Sequence, residues 1–351
     1  MSKVSVTLAQ AANLVVTCGT TNTFIFQGEP GIGKSSLRHP IMQKLGWPAD
    51  RFVYVDAALL DTGDMQYPAN RGDHIEFIPN KMFKHDEPVV IMLDEFGKAP
   101  RPVKNAMLTL LLEHRIGSTH LPEGSIVFGT TNLATDGVGD VMEGHARNRV
   151  TMVKVSKPTA DEVIEWGVDN GMEPTIMAWM HEYPQCLDSY TNYPAGDKID
   201  NPYIFNPRSS VQGACFTPRS GFHAGEILKQ RHNIPDDALI AALAGTVGEA
   251  AARDLEAFVA LNDDLTPFAV CVEKPDTAKV PDSPIAATIL SLGAVMRIDN
   301  DNINNWIKYM RRLPRETQFM FAQNAMRSKK AGLVARATEF TKWARENSWA
   351  V

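Results

Sequence analysis

Apolar residues at Leu8, Ala11, Ala12, Val15 and Val16 follow the i, i+3, i+4, i+7 spacing of a helix with one buried face over residues 7–16. The period then shortens. Compact apolar runs at 23–27, 51–55, 88–93 and 125–130 have the length and content of buried strands, and segments with helical spacing, 34–45 and 102–113 among them, lie between. A fifth run spans 151–155. Strands that alternate with helices in this way predict a parallel sheet covered on both faces.

Beyond residue 158 the pattern turns almost wholly helical, with helices expected over 159–170, 174–183, 221–231 and 236–262. The stretch 186–217 interrupts it with Pro, Asn, Asp, Gly and Tyr, the chemistry of turns, and a loop of that length is usually functional or mobile. A second proline-rich stretch, 266–284, reads as a linker before helical spacing returns at 285–296, 303–310, 318–326 and 333–343. The expected division is an α/β domain over 1–157, a helical domain over 158–265 that carries the long loop 186–217, and a linker with a helical C-terminal region over 266–351. The sequence shows no internal repeat of fixed period.

At 351 residues, 44% hydrophobic and 22% charged, the chain is long enough for a substantial core and far from a disordered composition. Its formal charge of −6 argues against a surface that holds nucleic acid by general electrostatics, which needs clustered Lys and Arg. Cys18, Cys186, Cys215 and Cys271 have neither CxxC nor zinc spacing, so they read as free thiols of a reducing compartment with no metal. The N-terminal residues lack the apolar core and cleavage site of a signal peptide, and no run reaches about 18 apolar residues. The expectation is a cytoplasmic protein with no membrane partner.

The segment Gly28-Glu-Pro-Gly-Ile-Gly-Lys-Ser35 satisfies the pattern G-x-x-x-x-G-K-S/T in full, after an expected strand and at the start of an expected helix. Gly28, Gly31 and Gly33 allow a backbone that wraps phosphate with its N–H groups, and the helix start adds positive potential. Glu29, Pro30 and Ile32 complete the loop and Ser36 follows it. Lys34 is expected at the β- and γ-phosphates of ATP, with Ser35 a ligand of Mg²⁺. The plainer reading, a glycine-rich turn with an incidental Lys-Ser, leaves the flanking strand and helix unexplained.

Val89-Val-Ile-Met-Leu-Asp-Glu95 is an apolar run that ends in two acids, as a central strand would deliver carboxylates to the C-terminal edge of a sheet. Asp94 is expected to hold Mg²⁺, largely through water, and Glu95 to orient and deprotonate the attacking water. Ser125-Ile-Val-Phe-Gly-Thr-Thr-Asn132 repeats the pattern with an amide at its end, able to donate to a phosphate and to help place water. A turn-forming Asn is the alternative. Arg147 and Arg149 stand just ahead of the fifth strand, and Arg219 follows Thr217-Pro at a helix start. An ordinary solvated or salt-bridged side chain is the alternative reading of each, and weighs more for Arg147 than for Arg149.

In this order the motifs resemble those of AAA+ ATPases. The resemblance implies a Walker A loop at 28–35, a Walker B strand at 89–95, sensor 1 at Asn132, an arginine finger supplied to a neighbouring subunit by Arg149 in preference to Arg147, and sensor 2 at Arg219 in a helical lid. Asp61-Thr-Gly-Asp-Met-Gln-Tyr-Pro68, Ile75-Glu-Phe-Ile-Pro-Asn80 and Asp94-Glu-Phe-Gly-Lys-Ala-Pro100 are similar to the MoxR-like branch, which carries a loop or hairpin insert in helix 2, here about 64–77. Gly97 and Lys98 depart from that branch's usual Asn-Arg, and the loop 186–210 is long for a lid. The resemblance covers roughly 7–231, and the region from about 266 onward matches nothing in the family pattern.

The resemblance further implies a homo-oligomer, a hexameric ring, that remodels or activates a protein substrate or adaptor, von Willebrand factor A domain proteins among them. A DNA-directed motor or loader is the alternative, with Lys81, Lys84, Lys98, Arg101 and Lys104 as its positive stripe. A nucleotide-dependent switch whose catalysis is incidental is the third.

Overall fold

The computed structural model describes residues 4–133, 148–194, 196–210 and 213–347. The chain divides into two compact units, Met1–Lys157 and Pro158–Val351. In the first, strands β1 (Phe24–Gln27), β2 (Phe52–Asp56), β3 (Gln66–Asn70), β4 (Ile75–Pro79), β5 (Val90–Asp94), β6 (Arg115–Ile116), β7 (Thr119–His120), β8 (Ile126–Thr131) and β9 (Thr151–Lys154) alternate with helices α1 (Leu8–Cys18), α2 (Arg38–Leu45), α3 (Thr62–Met65) and α4 (Arg101–Glu113). Five of the strands form one sheet in the order β2-β5-β8-β1-β9, every pairing parallel. The expected fold class, a parallel α/β unit followed by helices, is the one observed.

Alternation along the strands builds the layers. Phe24, Phe26, Val90, Met92, Ile126 and Phe128 face a core shared with α1 and α2, while Ile25, Ile91, Leu93 and Val127 face a second core shared with α4. β5 is buried at all five positions because nothing charged interrupts Val-Ile-Met-Leu before Asp94. The helix α1 starts with a reciprocal cap: Thr7 Oγ1 accepts from Gln10 N–H and the Gln10 side chain accepts from Thr7 N–H.

Strand boundaries fall within about two residues of the pattern, as hydrogen bonding and burial need not end together. The expected helix 34–45 is in two parts, a 3₁₀ turn at Lys34–Leu37 and then α2, because the left-handed Gly33 (φ 99°) precedes it without a capping side chain. The expected insert is an antiparallel hairpin, β3 with β4, turning at Arg71 to His74. A smaller hairpin, β6 with β7, was not anticipated by the pattern, being two residues a side.

In the second unit α5 (Ala160–Asn170), α6 (Pro174–Glu182), α7 (Pro218–Leu228), α8 (Asp236–Val247), α9 (Glu249–Asp263), α10 (Phe268–Glu273), α11 (Pro284–Arg297), α12 (Ile303–Met310), α13 (Arg315–Arg327), α14 (Ala331–Arg336) and α15 (Thr338–Glu346) enclose a single core that runs from Ala160 to Trp343. The expected helix 236–262 is two helices, broken at Gly248, where φ is 91° and a Cβ would stand 2.6 Å from Ala214 O. The stretch read as a linker, 266–284, contains α10, whose Cys271 is fully buried. The long loop is pinned by irregularly spaced aromatics: Phe216 and Tyr203 lie 4.8 and 5.4 Å, centroid to centroid, from the buried Trp179.

Candidate active site

Sheet order decides which residues meet. Because β8 lies between β1 and β5, the ends of three strands bring the phosphate-loop motif, Asn132 and the acidic pair to one edge. The register is Gln27 beside Thr131 and Leu93 beside Gly129. Ligands of open parallel sheets bind outside this carboxyl edge.

Lys34 lies at the centre, 6% exposed. Its Nζ donates to Gly28 O, Glu29 O and Asn132 Oδ1, each at 2.8 Å. Asn132 in turn directs Nδ2 at the Glu95 carboxylate, 3.3 and 3.4 Å from its two oxygens. The amide therefore bridges the lysine and the second acid, accepting from one and donating to the other. Gly31 (φ 75°) and Gly33 (φ 99°) adopt the left-handed backbone that lets the loop fold back over Lys34, and Ile32, 1% exposed, anchors it in the core. Pro30 is half-buried and Ser36 exposed, its N–H closing the turn onto Gly33 O at 2.9 Å.

Asp94 is held by four donors. Ser35 Oγ and Tyr54 OH donate to Oδ2 at 2.7 and 2.9 Å, the Glu95 N–H donates to Oδ1 at 3.1 Å, and Thr130 Oγ1 also donates to Oδ1. Burial pushes this carboxyl up, but the hydrogen bonds from Ser35, Thr130, Tyr54 and the Glu95 backbone together outweigh it and hold the group below its ordinary value. Glu95 itself is one of two non-glycine residues with positive φ among the described residues, at 52°. Such a conformation is uncommon for a side chain with a Cβ and marks a place where geometry is imposed. The Lys98 ammonium lies 3.0 Å from Glu95 Oε2, one turn on.

Tyr54, Thr130 and Lys98 were absent from the expected site. The signal that would have revealed the first two is the pairing of β2 and β8 with β5, which hydrophobic patterning does not specify. Lys98 enters the sequence reading as a departure from a family pattern and as a member of the positive stripe, not as a partner of Glu95. Arg149 is exposed two residues ahead of β9, with no ion-pair partner among the described residues, while Arg147 lies outside those residues. Arg219 is exposed in the first turn of α7 in the second unit, whose start is capped by Thr217.

The donor set suits Mg²⁺. Ser35 and Asp94 offer hard oxygens 2.7 Å apart, and among the described residues no group of three or more His, Cys, Asp or Glu is placed to hold a metal ion by itself. A cation there would draw most of its ligands from phosphate and water, which is the habit of Mg²⁺.

A phosphate-loop motif, an acidic pair of which Asp94 is buried and Glu95 half-buried, and an amide bridging Lys34 to Glu95 meet at one edge of a parallel sheet, the arrangement expected of a P-loop nucleotide site. Residues 24–151 match the AAA family, "ATPase family associated with various cellular activities". The match supports reading this part of the chain as an AAA ATPase domain. No curated protein matches the chain. Among solved structures the chain is similar to NtrX from Brucella abortus in complex with ADP, at 14% identity and a TM-score of 0.40 over 98% of this chain and 67% of that one. It is also similar to the Thermotoga maritima RuvB Holliday junction branch migration motor, at 13% identity and a TM-score of 0.36 over 86% and 85%. The S. cerevisiae Hsp104:casein complex gives 17% identity and a TM-score of 0.37 over 50% and 40%.

Proposed function

We propose that the chain is a ring-forming AAA+ ATPase of the MoxR-like branch that couples Mg²⁺-dependent ATP hydrolysis to remodelling or activation of a protein partner. The observation that carries hydrolysis is the continuous path Lys34–Asn132–Glu95, with Ser35 on Asp94 beside it. Lys34 meets the β- and γ-phosphates, whose oxygens compete with the loop carbonyls for its protons. Glu95, oriented by Asn132 and Lys98, takes a proton from the water that attacks the terminal phosphorus. Ser35 and Asp94 would hold Mg²⁺, which would supply neutralisation of the phosphate charge. Arg149 serves a neighbour's nucleotide in a hexameric ring, and Arg219 carries the sensor 2 role that the resemblance implies.

The hairpin supports a protein partner. Pro68, Ile75 and Phe77 share one face of β3 and β4, with Ile75 64% and Phe77 49% exposed, and Tyr67 is 51% exposed on the other. Its charges are internally matched, Arg71 to Glu76 at 2.7 Å and His74 to Asp73 at 2.6 Å. Apolar exposure without free positive charge suits a polypeptide, of which a von Willebrand factor A domain protein is one kind, and not a phosphate backbone. The DNA-directed reading also loses members of its stripe: Lys98 is committed to Glu95, and Lys104 donates to Gly97 O at 3.0 Å, where burial lowers its ammonium below the ordinary value.

The test is a pull-down with Glu95→Gln as a trap in the presence of ATP. Stable capture of one protein is the expected result. Capture of DNA, with salt-sensitive affinity, would replace this reading by the nucleic-acid one.

A further inference from the structure

The segment leaving β9 runs beside the start of the phosphate loop. Val155 N–H donates to Gln27 O at 2.7 Å, and Gly28 sits so close that a Cβ there would stand 3.2 Å from Val155 O. The next side chains along the two segments then meet: Lys157 Nζ lies 3.8 Å from Glu29 Oε2, with the side chains 3% and 6% exposed. A buried carboxylate in a loop built to receive a polyphosphate would repel that ligand if its charge were not offset, and an unpaired buried charge is costly in any case. Glu29 also acts through its backbone, its carbonyl accepting from Lys34 Nζ at 2.8 Å. One residue therefore faces two lysines, with its carboxylate towards Lys157 and its carbonyl on Lys34.

We propose that Lys157 is a positioning residue for nucleotide binding, anchoring and neutralising the Glu29 carboxylate so that the phosphate loop presents Lys34 to the triphosphate without a buried negative charge of its own. The inference rests on the ATP-binding reading above. On this proposal Lys157 acts on the nucleotide through Glu29 and not by direct contact. Its effect therefore falls on binding far more than on the chemical step.

The experiment compares the full-length chain with Lys157→Met, Lys157→Arg, Glu29→Gln and the double variant Glu29→Gln/Lys157→Met. It measures Kd for a fluorescent ATP analogue, KM and kcat for ATP, and thermal unfolding. Lys157→Met is expected to raise Kd and KM about tenfold while kcat stays within about threefold, and Lys157→Arg to restore binding. In the Glu29→Gln background, loss of Lys157 is expected to change Kd by less than about threefold, since no carboxylate remains to be offset. That comparison holds even where Lys157→Met alone fails to fold. Wild-type affinity in Lys157→Met, a loss that arginine does not restore, or a tenfold loss in the Glu29→Gln background would each overturn the inference. A wild-type chain that binds no ATP would instead overturn the reading of the site itself.

Discussion

Glu95 combines an imposed backbone with two tethers. Its φ of 52° aims the carboxylate at Asn132, and Lys98 holds the other side. Replacing the carboxylate by an amide keeps the shape and removes the base. Glu95→Gln is expected to bind ATP with near wild-type affinity and to lose about 10²–10⁴-fold in turnover, read by phosphate release beside nucleotide titration. Lys34→Ala, by contrast, removes binding itself. At Asp94 the consequence is one of pH. Its folded carboxyl lies below the ordinary value of 3.8, so its contribution to stability is fully present above that value and is lost as pH falls through the lower, folded one. Asp94→Asn should therefore flatten the acid limb of a Tm-against-pH curve, and a curve of unchanged shape would remove Asp94 as its source.

At the scale of elements, what could be read from the chain was what the local period encodes. The five parallel strands, α1, α4 and the phosphate loop follow from spacing and from Gly-Lys-Ser chemistry, so Gly28, Lys34, Ser35, Asp94, Glu95 and Asn132 could be singled out. Strand order could not, because periodicity says which face of a strand is buried and nothing about its neighbours. Tyr54 and Thr130 accordingly went unnoticed as partners of Asp94, and Lys157 as a partner of Glu29. The break at Gly248 was hidden for another reason: a glycine inside a long apolar helix pattern is tolerated unless its φ is positive, and the sequence does not show φ. Gly248→Ala should cost about 1–3 kcal/mol in denaturant unfolding, since the backbone is left-handed and Ala214 O occupies the space. The hairpin offers the complementary case. Ile75→Ser with Phe77→Ser removes exposed apolar surface and should leave Tm and unstimulated ATP hydrolysis near wild type while abolishing capture of a protein by the Glu95→Gln trap.

For the whole molecule, each unit has its own core. On the proposed reading the phosphate loop and acidic pair of the first unit hold ATP, so saturating nucleotide should raise the unfolding transition of that unit by about 2.7 kcal/mol at one hundred times Kd. A single transition that moves as one would show the two to be energetically fused. Assembly is tested by mixing. Arg149→Ala is expected to bind ATP and hydrolyse it poorly, and mixing it with Lys34→Ala should recover part of the activity, since each variant supplies what the other lacks. No helix among the described residues is long and apolar enough to cross a membrane.

The helical core from Ala160 to Trp343 draws none of its buried residues from the sheet. Substitutions confined to that core change none of the described buried residues that pack the sheet. On the proposed reading, what the chain serves can diversify there while the residues that hold its fuel are kept.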